Sequence, residues 1–442
     1  MTAPLRIPFP VVDEVSRHCV QDEEPETVLI EVHLPGELDS GRLRKAFLEA
    51  LRRHPRILMR EAPGPWYRRR YEWELTDEPD VETVSFPPPG PGSLQDARAR
   101  AMAVAPSLTA SPPIRLEVVT APGSTESGAG GGADGRAAVP TGTALLLTLN
   151  HTALDGPACL RILATAAEIY GGRDNSAAAP PVRPSETPRA GAPDTPSQWA
   201  PPARVARGTP DPYPGPRRGN GLLHTELPLP HRPKGAPYTV NDQLMVATAL
   251  TLADWNREHG APARPLRITM PVDDRPRDAS MPIGNGTRLV EVPFSPSELE
   301  TEDLPGLLGR TALRTRALKA LVRPQLGHGA ALLTSPWAPV AVRAALTRGI
   351  RRAAAPWTST TLLSNIGRIP YRMDFGEEAG CAHAVWFSAP ARMPRGLTFT
   401  TASVASRLHL AVRWSRPLLG HDDGIHLRDL FAHHLHSTEA TP

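Results

Sequence analysis

The chain has 442 residues, 40% of them hydrophobic and 21% charged, with a formal net charge of +3 from 49 basic and 46 acidic side chains. That length exceeds what a single hydrophobic core usually supports, so two domains or one large two-lobed unit are expected. No apolar stretch reaches the ~20 residues of a membrane span, the start lacks a basic-then-apolar signal pattern, and the balanced charge lacks the basic face of a nucleic-acid binder; a cytoplasmic protein with neither kind of partner is expected.

The first clear pattern is TVLIEVHLPGELDSGRLRKAFLEALRRHPRIL. Alternation through Val28, Ile30, Val32 and Leu34 predicts a half-buried strand. A helix follows, with Asp39 or Ser40 as cap and Leu43, Ala46, Phe47, Ala50 and Leu51 at helical spacing until Arg-His-Pro ends it. PWYRRRYEWEL reads as a strand and SLQDARARAMAVAPSL as a helix. PPIRLEVVT and ALLLTLN read as two strands separated by GSTESGAGGGADG, too small and flexible a composition to pack. That insert lacks the Gly-Lys-Ser/Thr ending of a phosphate loop. PACLRILATAAEIY is a helix with Leu160, Leu163, Ala164 and Ala167 on one face, opened by Gly156 at the bend and Pro157 in the first turn.

Residues 173–221, dense in proline, arginine and glycine, read as a linker or crossing loop. The mixed pattern then returns: GLLHTELPL a strand, TVNDQLMVATALTLADWNREHG a long helix, PLRITMPVD and TRLVEVPF strands. Residues 302–321 and 336–353 read as helices, TSTTLLSNI as a strand, GLTFTTASVASRLHLAVRWS as a hairpin and IHLRDLFAHHLHSTEA as a closing helix. Interspersed strands and helices in both halves predict an α/β fold with a first lobe over 1–172, a linker over 173–221 and a second lobe over 222–442. The cleft between them is where a site belongs.

The chemistry gathers at LLLTLNHTALDGPACLRIL, residues 145–163. Apolar and small residues up to Asn150 mean a strand buried on both faces, so His151 is held just past a rigid end. A neutral imidazole can take a proton from an attacking hydroxyl, amine or thiol and return it to a leaving group. Asp155 either orients that imidazole or pairs with an arginine and fixes the loop. The spacing of a histidine and an aspartate alone leaves both open.

NHTALDG resembles the His-x-x-x-Asp-Gly motif of the condensation-domain and chloramphenicol-acetyltransferase-like superfamily. VHLPGELDSGRLRKAFLEALRRHPRIL resembles that family's opening strand and helix, TVNDQLMVATALTLADW its long helix after the crossover, MPVDDRPRDASMPIGNGT its arginine and glycine-asparagine turn, and LLSNIGRIP a late strand. The matches keep family order over nearly the whole chain. The resemblance implies two chloramphenicol-acetyltransferase-like lobes, mixed sheets flanked by helices, forming a V around a central tunnel. It implies a free-standing, monomeric acyltransferase that moves an acyl group from a pantetheine thioester, on a carrier protein or coenzyme A, to a hydroxyl or amine of a small-molecule acceptor in natural-product biosynthesis. No further cofactor is implied.

By the same resemblance His151 is the base or positioning residue, Asp155 a structural partner of Arg275, and Gly156 the residue that keeps the loop open. Asn150, Asn285, Ser364 and Asn365 would line the tunnel. Peptide-forming relatives carry two adjacent histidines before the triplet, and the first is Asn150 here. Ester-forming relatives often have one, which points to an alcohol acceptor or a tailoring role. A non-catalytic recruiting module, and cyclisation or dehydration of a thioester-bound substrate, are the competing readings.

The arginine-rich helix with Arg343, Arg348, Arg351 and Arg352 reads as a solvated face, or through Arg348, Arg351 and Arg352 as a dock for an acidic carrier protein. Cys19, Cys159 and Cys381 are far apart and give neither a disulfide framework nor a paired-cysteine zinc site. Cys159 is expected to pack in the core rather than react. His433, His434 and His436 do not converge on one helical face, so no metal is expected there. Asp374-Phe375-Gly376 reads as a loop without chemistry.

Overall fold

The computed structural model describes residues 4–21, 23–122, 141–177, 200–209, 211, 219–276, 281–300, 303–321, 325–326 and 329–439. The glycine-rich insert and most of segment 173–221 lie outside the described residues. Among the described residues the fold is mixed α/β, with three sheets.

The five-stranded sheet is built around the strand Thr141–Asn150. This strand pairs antiparallel with Thr27–Leu34 on one side and Ile114–Pro122 on the other, while Val84–Ser85 adds a short parallel edge. Leu145, Leu147 and Leu149 face one core and Ala144 and Leu146 the opposite one. All five are essentially inaccessible. The helices Ser40–Arg53 and Gly156–Gly171 cover the first face and Ser93–Ala103 the second. A central strand covered on both faces reads as an unbroken apolar run for this reason.

The fifth strand of that sheet, Ala384–Ser388, comes from far down the chain and pairs antiparallel with Thr27–Leu34. Tyr371, Met373, Phe375 and Ala379 also pack into the first core. Residues within 222–442 therefore contribute to both main sheets. A small antiparallel sheet joins Arg6–Pro8, Glu72–Leu75 and Met59–Glu61. Of the run PWYRRRYEWEL only Glu72–Leu75 is strand; Trp66 and Tyr67 are exposed.

The six-stranded sheet runs Thr287–Phe294, Leu266–Asp273, Thr361–Arg368, Leu397–Val404, Arg407–Ser415 and Asn220–Pro228. Thr361–Arg368 is parallel to both its neighbours, and the other pairs are antiparallel. The long helix Val240–Glu258, opened by a Thr239–Asp242 capping box, packs with the helices Leu304–Ala320 and His421–Ser437. The helix Val340–Ala353 starts only after Pro339. Residues 200–209 do not run free: Ala203 and Val205 are buried in the core formed by the six-stranded sheet and the helix Val240–Glu258, and Asn256 ties down Arg204 and Ala206 through its side chain.

The two main sheets are fastened by polar groups as well as apolar ones. Arg413 donates to the carbonyl and hydroxyl of Thr27 at 2.8 and 2.9 Å. Trp386 stacks on His224 with centroids 5.4 Å apart and meets His409 edge-on at 4.9 Å. Beneath it Glu31, fully buried, accepts from Arg98 at 2.7 and 2.5 Å and from His33 at 2.7 Å. Burial works against that charge, but His224, Arg98 and His33 hold the Glu31 carboxyl well below its ordinary range.

Candidate active site

The motif loop leaves the end of the buried central strand. Asn150 spends its amide on two loops, donating from Nδ2 to the Pro106 carbonyl at 2.9 Å beyond the helix Ser93–Ala103 and accepting from the Thr152 N–H of the motif loop at 3.1 Å. It is buried and does not line the cavity, although the sequence comparison placed it with the tunnel residues. The His151 N–H donates to the Glu26 carbonyl at 2.8 Å, which fixes the backbone of the neighbouring position.

The His151 ring is half-buried and its Nδ1 lies 2.8 Å from the Leu154 carbonyl. A carbonyl only accepts, so Nδ1 carries the proton of the neutral ring and Nε2 keeps its lone pair. That is the tautomer a general base needs. His151 lines a cavity of about 570 Å³, within the range of small-ligand sites. Asp155, Gly156 and Phe387 line it from the five-stranded sheet's side, and Pro271, Asn285, Ser364 and Asn365 from the segments of the six-stranded one.

Asp155 is almost wholly buried, and none of its hydrogen bonds goes to His151. One carboxylate oxygen caps the helix Gly156–Gly171 by accepting from the Ala158 N–H at 3.1 Å. The other accepts from Arg275 at 2.7 Å and from the Gly286 N–H at 2.9 Å. Of the two roles open in the sequence, the geometry has the second. Arg275 has another carboxylate as well: Asp273 accepts from it at 2.9 and 3.0 Å. Burial opposes the guanidinium charge, yet the hydrogen bonds and charges of Asp273 and Asp155 hold its pKa above the ordinary value.

Gly156 is packed where a Cβ would sit 3.1 Å from the Phe387 ring, so any larger residue presses on the cavity wall. Asn285 donates to the carbonyls of His151 and Thr152 at 3.3 and 3.0 Å and to Asp13 at 2.9 Å, pinning the motif loop from the second half of the chain. Asn365 accepts from the Gly367 N–H at 2.9 Å across a strand irregularity and from Thr401 at 3.2 Å, and donates to Asn241 at 3.2 Å.

Asp13 escaped the sequence reading. It lies on the helix Val11–His18 and accepts from Trp73 Nε1 at 2.9 Å as well as from Asn285. Burial raises its pKa from 3.8 to about 6 against those partners. The only sequence signal was an aspartate in an otherwise unremarked segment.

The remaining candidates are dispersed. Arg348 and Arg352 are exposed on their helix, whereas Arg351 turns into the cavity lining. Arg343, read as part of a solvated face, is fully buried: it is ion-paired with Glu14 and also bonded to the Ala338 carbonyl at 3.1 Å. Its helix is pressed against Val11–His18, which is why a charge stands on the inner side. Cys159 is fully buried, and burial together with the Asp155 charge pushes its thiol pKa well up, so it packs rather than reacts. His434 pairs with Asp254 at 2.9 Å and His436 with Glu439 at 3.1 Å. Asn175 is hydrogen-bonded to the Asp374 backbone, and Phe375 fills the first core, so that loop is a packing device. No described helix is long and apolar enough to cross a membrane.

No family model matches the chain. Two uncharacterised proteins of Mycobacterium tuberculosis are each 29% identical to it over 399 residues, 83% of this chain and 84% of the relative. Among solved structures, the condensation domain of the monacolin K polyketide synthase MokA superposes with a TM-score of 0.63 at 12% identity, covering 100% of this chain and 99% of that one. The trichothecene 15-O-acetyltransferase of Fusarium sporotrichioides gives 0.61 at 11% identity, with 98% and 95% covered. The nonribosomal cyclization-docking bidomain EpoB of Sorangium cellulosum gives 0.58 at 14%, with 100% and 86% covered. The chain shares the mixed α/β fold of these condensation, acetyltransferase and cyclization structures.

Proposed function

We propose that this chain is a free-standing acyltransferase which moves an acyl group from a pantetheine thioester, borne on a carrier protein or coenzyme A, to a hydroxyl or amine of a small molecule in natural-product biosynthesis. The observation that carries the reading is the His151 ring, whose Nδ1 proton is committed to the Leu154 carbonyl at 2.8 Å while Nε2 is left basic in a cavity lined from both halves of the chain. The acceptor's O–H or N–H gives its proton to Nε2 as the oxygen or nitrogen bonds to the thioester carbonyl carbon. When the tetrahedral intermediate collapses, the C–S bond breaks and the imidazolium returns the proton to the departing sulfur. A base in this role contributes about 10²–10⁴-fold in rate.

Asp155, Arg275 and Asn285 serve the base indirectly in this scheme: they hold the loop on which His151 stands. The Asn150 side chain is held by the backbone of Pro106 and Thr152, which fits a single-histidine site and an alcohol acceptor. The exposed Arg348 and Arg352 would meet an acidic carrier protein near the cavity that Arg351 lines.

The fold also occurs in a cyclization bidomain and an epimerization domain, which favours rearrangement of one thioester-bound substrate as the second reading. Mass spectrometry of products from a panel of acyl thioesters and acceptors separates the two. Acyl transfer gives a product of donor acyl plus acceptor with free thiol released. A product of unchanged mass, or one short by a water and still thioester-bound, would replace the proposal with the second reading.

A further inference from the structure

Three arginines, Arg351, Arg392 and Arg395, line the same cavity as His151. They are not equivalent. Arg392 is ion-paired with Glu26 and donates to the Cys19 carbonyl at 3.1 Å. Arg395 has no carboxylate partner among the described residues: its Nε donates to Ser359 Oγ at 3.1 Å and one terminal nitrogen to Thr269 Oγ1 at 3.2 Å. Those two hydroxyls are themselves hydrogen-bonded at 2.7 Å, so they aim the guanidinium without neutralising it.

The surroundings add positive charge rather than removing it. Glu291, the carboxylate whose charge reaches Arg395, is paired with Arg267 at 3.3 Å. Arg204 stands within electrostatic range, its own donors spent on the carbonyls of Pro394 and Ala355. Burial lowers the Arg395 pKa from its ordinary value to about 10; the pull of Glu291 is outweighed, and repulsion from Arg351, Arg392 and Arg204 adds to the lowering. The group is still charged at neutral pH. Most of its surface is covered, and it reaches the cavity lining.

A guanidinium set deep in a protein without an opposing charge is costly, whereas a neutral side chain would fill the same volume at no such cost. The cost is recovered when an anion enters, because a guanidinium fork matches the paired oxygens of a carboxylate or phosphate. We propose that Arg395, with Arg351 and Arg392 beside it, is an oxyanion subsite that takes the carboxylate or phosphate ester of a substrate reaching His151. This deepens the acyltransfer reading by giving one substrate a charge, and rests on it only there.

Isothermal titration calorimetry on the full chain tests the subsite without requiring turnover, so a failed transfer assay and a failed subsite are read separately. The probes are phosphopantetheine beside neutral pantetheine, and hexanoate beside neutral hexanamide. At least one anion binds more tightly than its neutral counterpart, and Arg395→Met weakens that anion about tenfold or more while Arg257→Met, at an exposed side chain that does not line the cavity, leaves it unchanged. Loss confined to phosphopantetheine assigns the site to the donor's phosphate; loss confined to hexanoate assigns it to a substrate carboxylate. If Arg395→Met does not fold, Arg395→Lys serves, keeping the charge but losing the fork, with a smaller weakening expected. Anions that bind no better than their neutral analogues, or an unchanged affinity in the Arg395 variant, overturn the proposal.

Discussion

Asp155 shows how one side chain can resemble a catalytic partner and act as scaffold. Its two oxygens satisfy a helix N-terminus, a guanidinium and the Gly286 N–H at once. Asp155→Ala should cost about 3 kcal/mol, from a lost cap of about 1 and buried donors left unsatisfied at about 1–3. Asp273 keeps Arg275 from being left entirely without a charge partner, which moderates the loss. Urea unfolding measures it; Asp155→Asn, which keeps the cap, should lose less, and a loss under about 0.5 kcal/mol for the alanine would contradict the role. The pairing of Asp155 with Arg275 was legible because both stand in motifs of recognisable context. Asp273 and Asp13 were not: the first is an ordinary aspartate at a strand end, and the second becomes notable only through burial beside residues hundreds of positions away.

At the level of elements, hydrophobic periodicity served where apolar residues face a core. It revealed the central strand before His151 and the helices Ser40–Arg53 and Val240–Glu258. It missed the helix Val11–His18 because that helix buries Asp13, Glu14 and His18 while leaving Val11 exposed, the inverse of an amphipathic signal. It missed Ala384–Ser388 because all five residues are buried and no alternation marks them. That strand closes one edge of the five-stranded sheet, and its Trp386 meets His224 and His409 from the other sheet. Trp386→Ala should therefore destabilise by about 3–5 kcal/mol, as large-to-small core changes do. Thermal or denaturant unfolding checks this, and a loss under about 1 kcal/mol would mean that the strand is not held by this junction.

Across the whole molecule the site is assembled from both halves of the sequence. His151 and Asp155 come from the first, Arg275, Asn285 and Arg395 from the second, and the long-range hydrogen bonds between them fix the loop on which the imidazole stands. The mixed α/β class was readable from the order of elements. The traffic of the chain between sheets was not, since it depends on pairings more than 350 residues apart, Phe387 with Ile30 among them. Removing the imidazole should leave this framework standing and remove only the base. The rate of acyl transfer by His151→Ala, measured beside wild type on folded protein of matched melting temperature, should fall about 10²–10⁴-fold. Undiminished transfer by the variant would contradict a general base at His151.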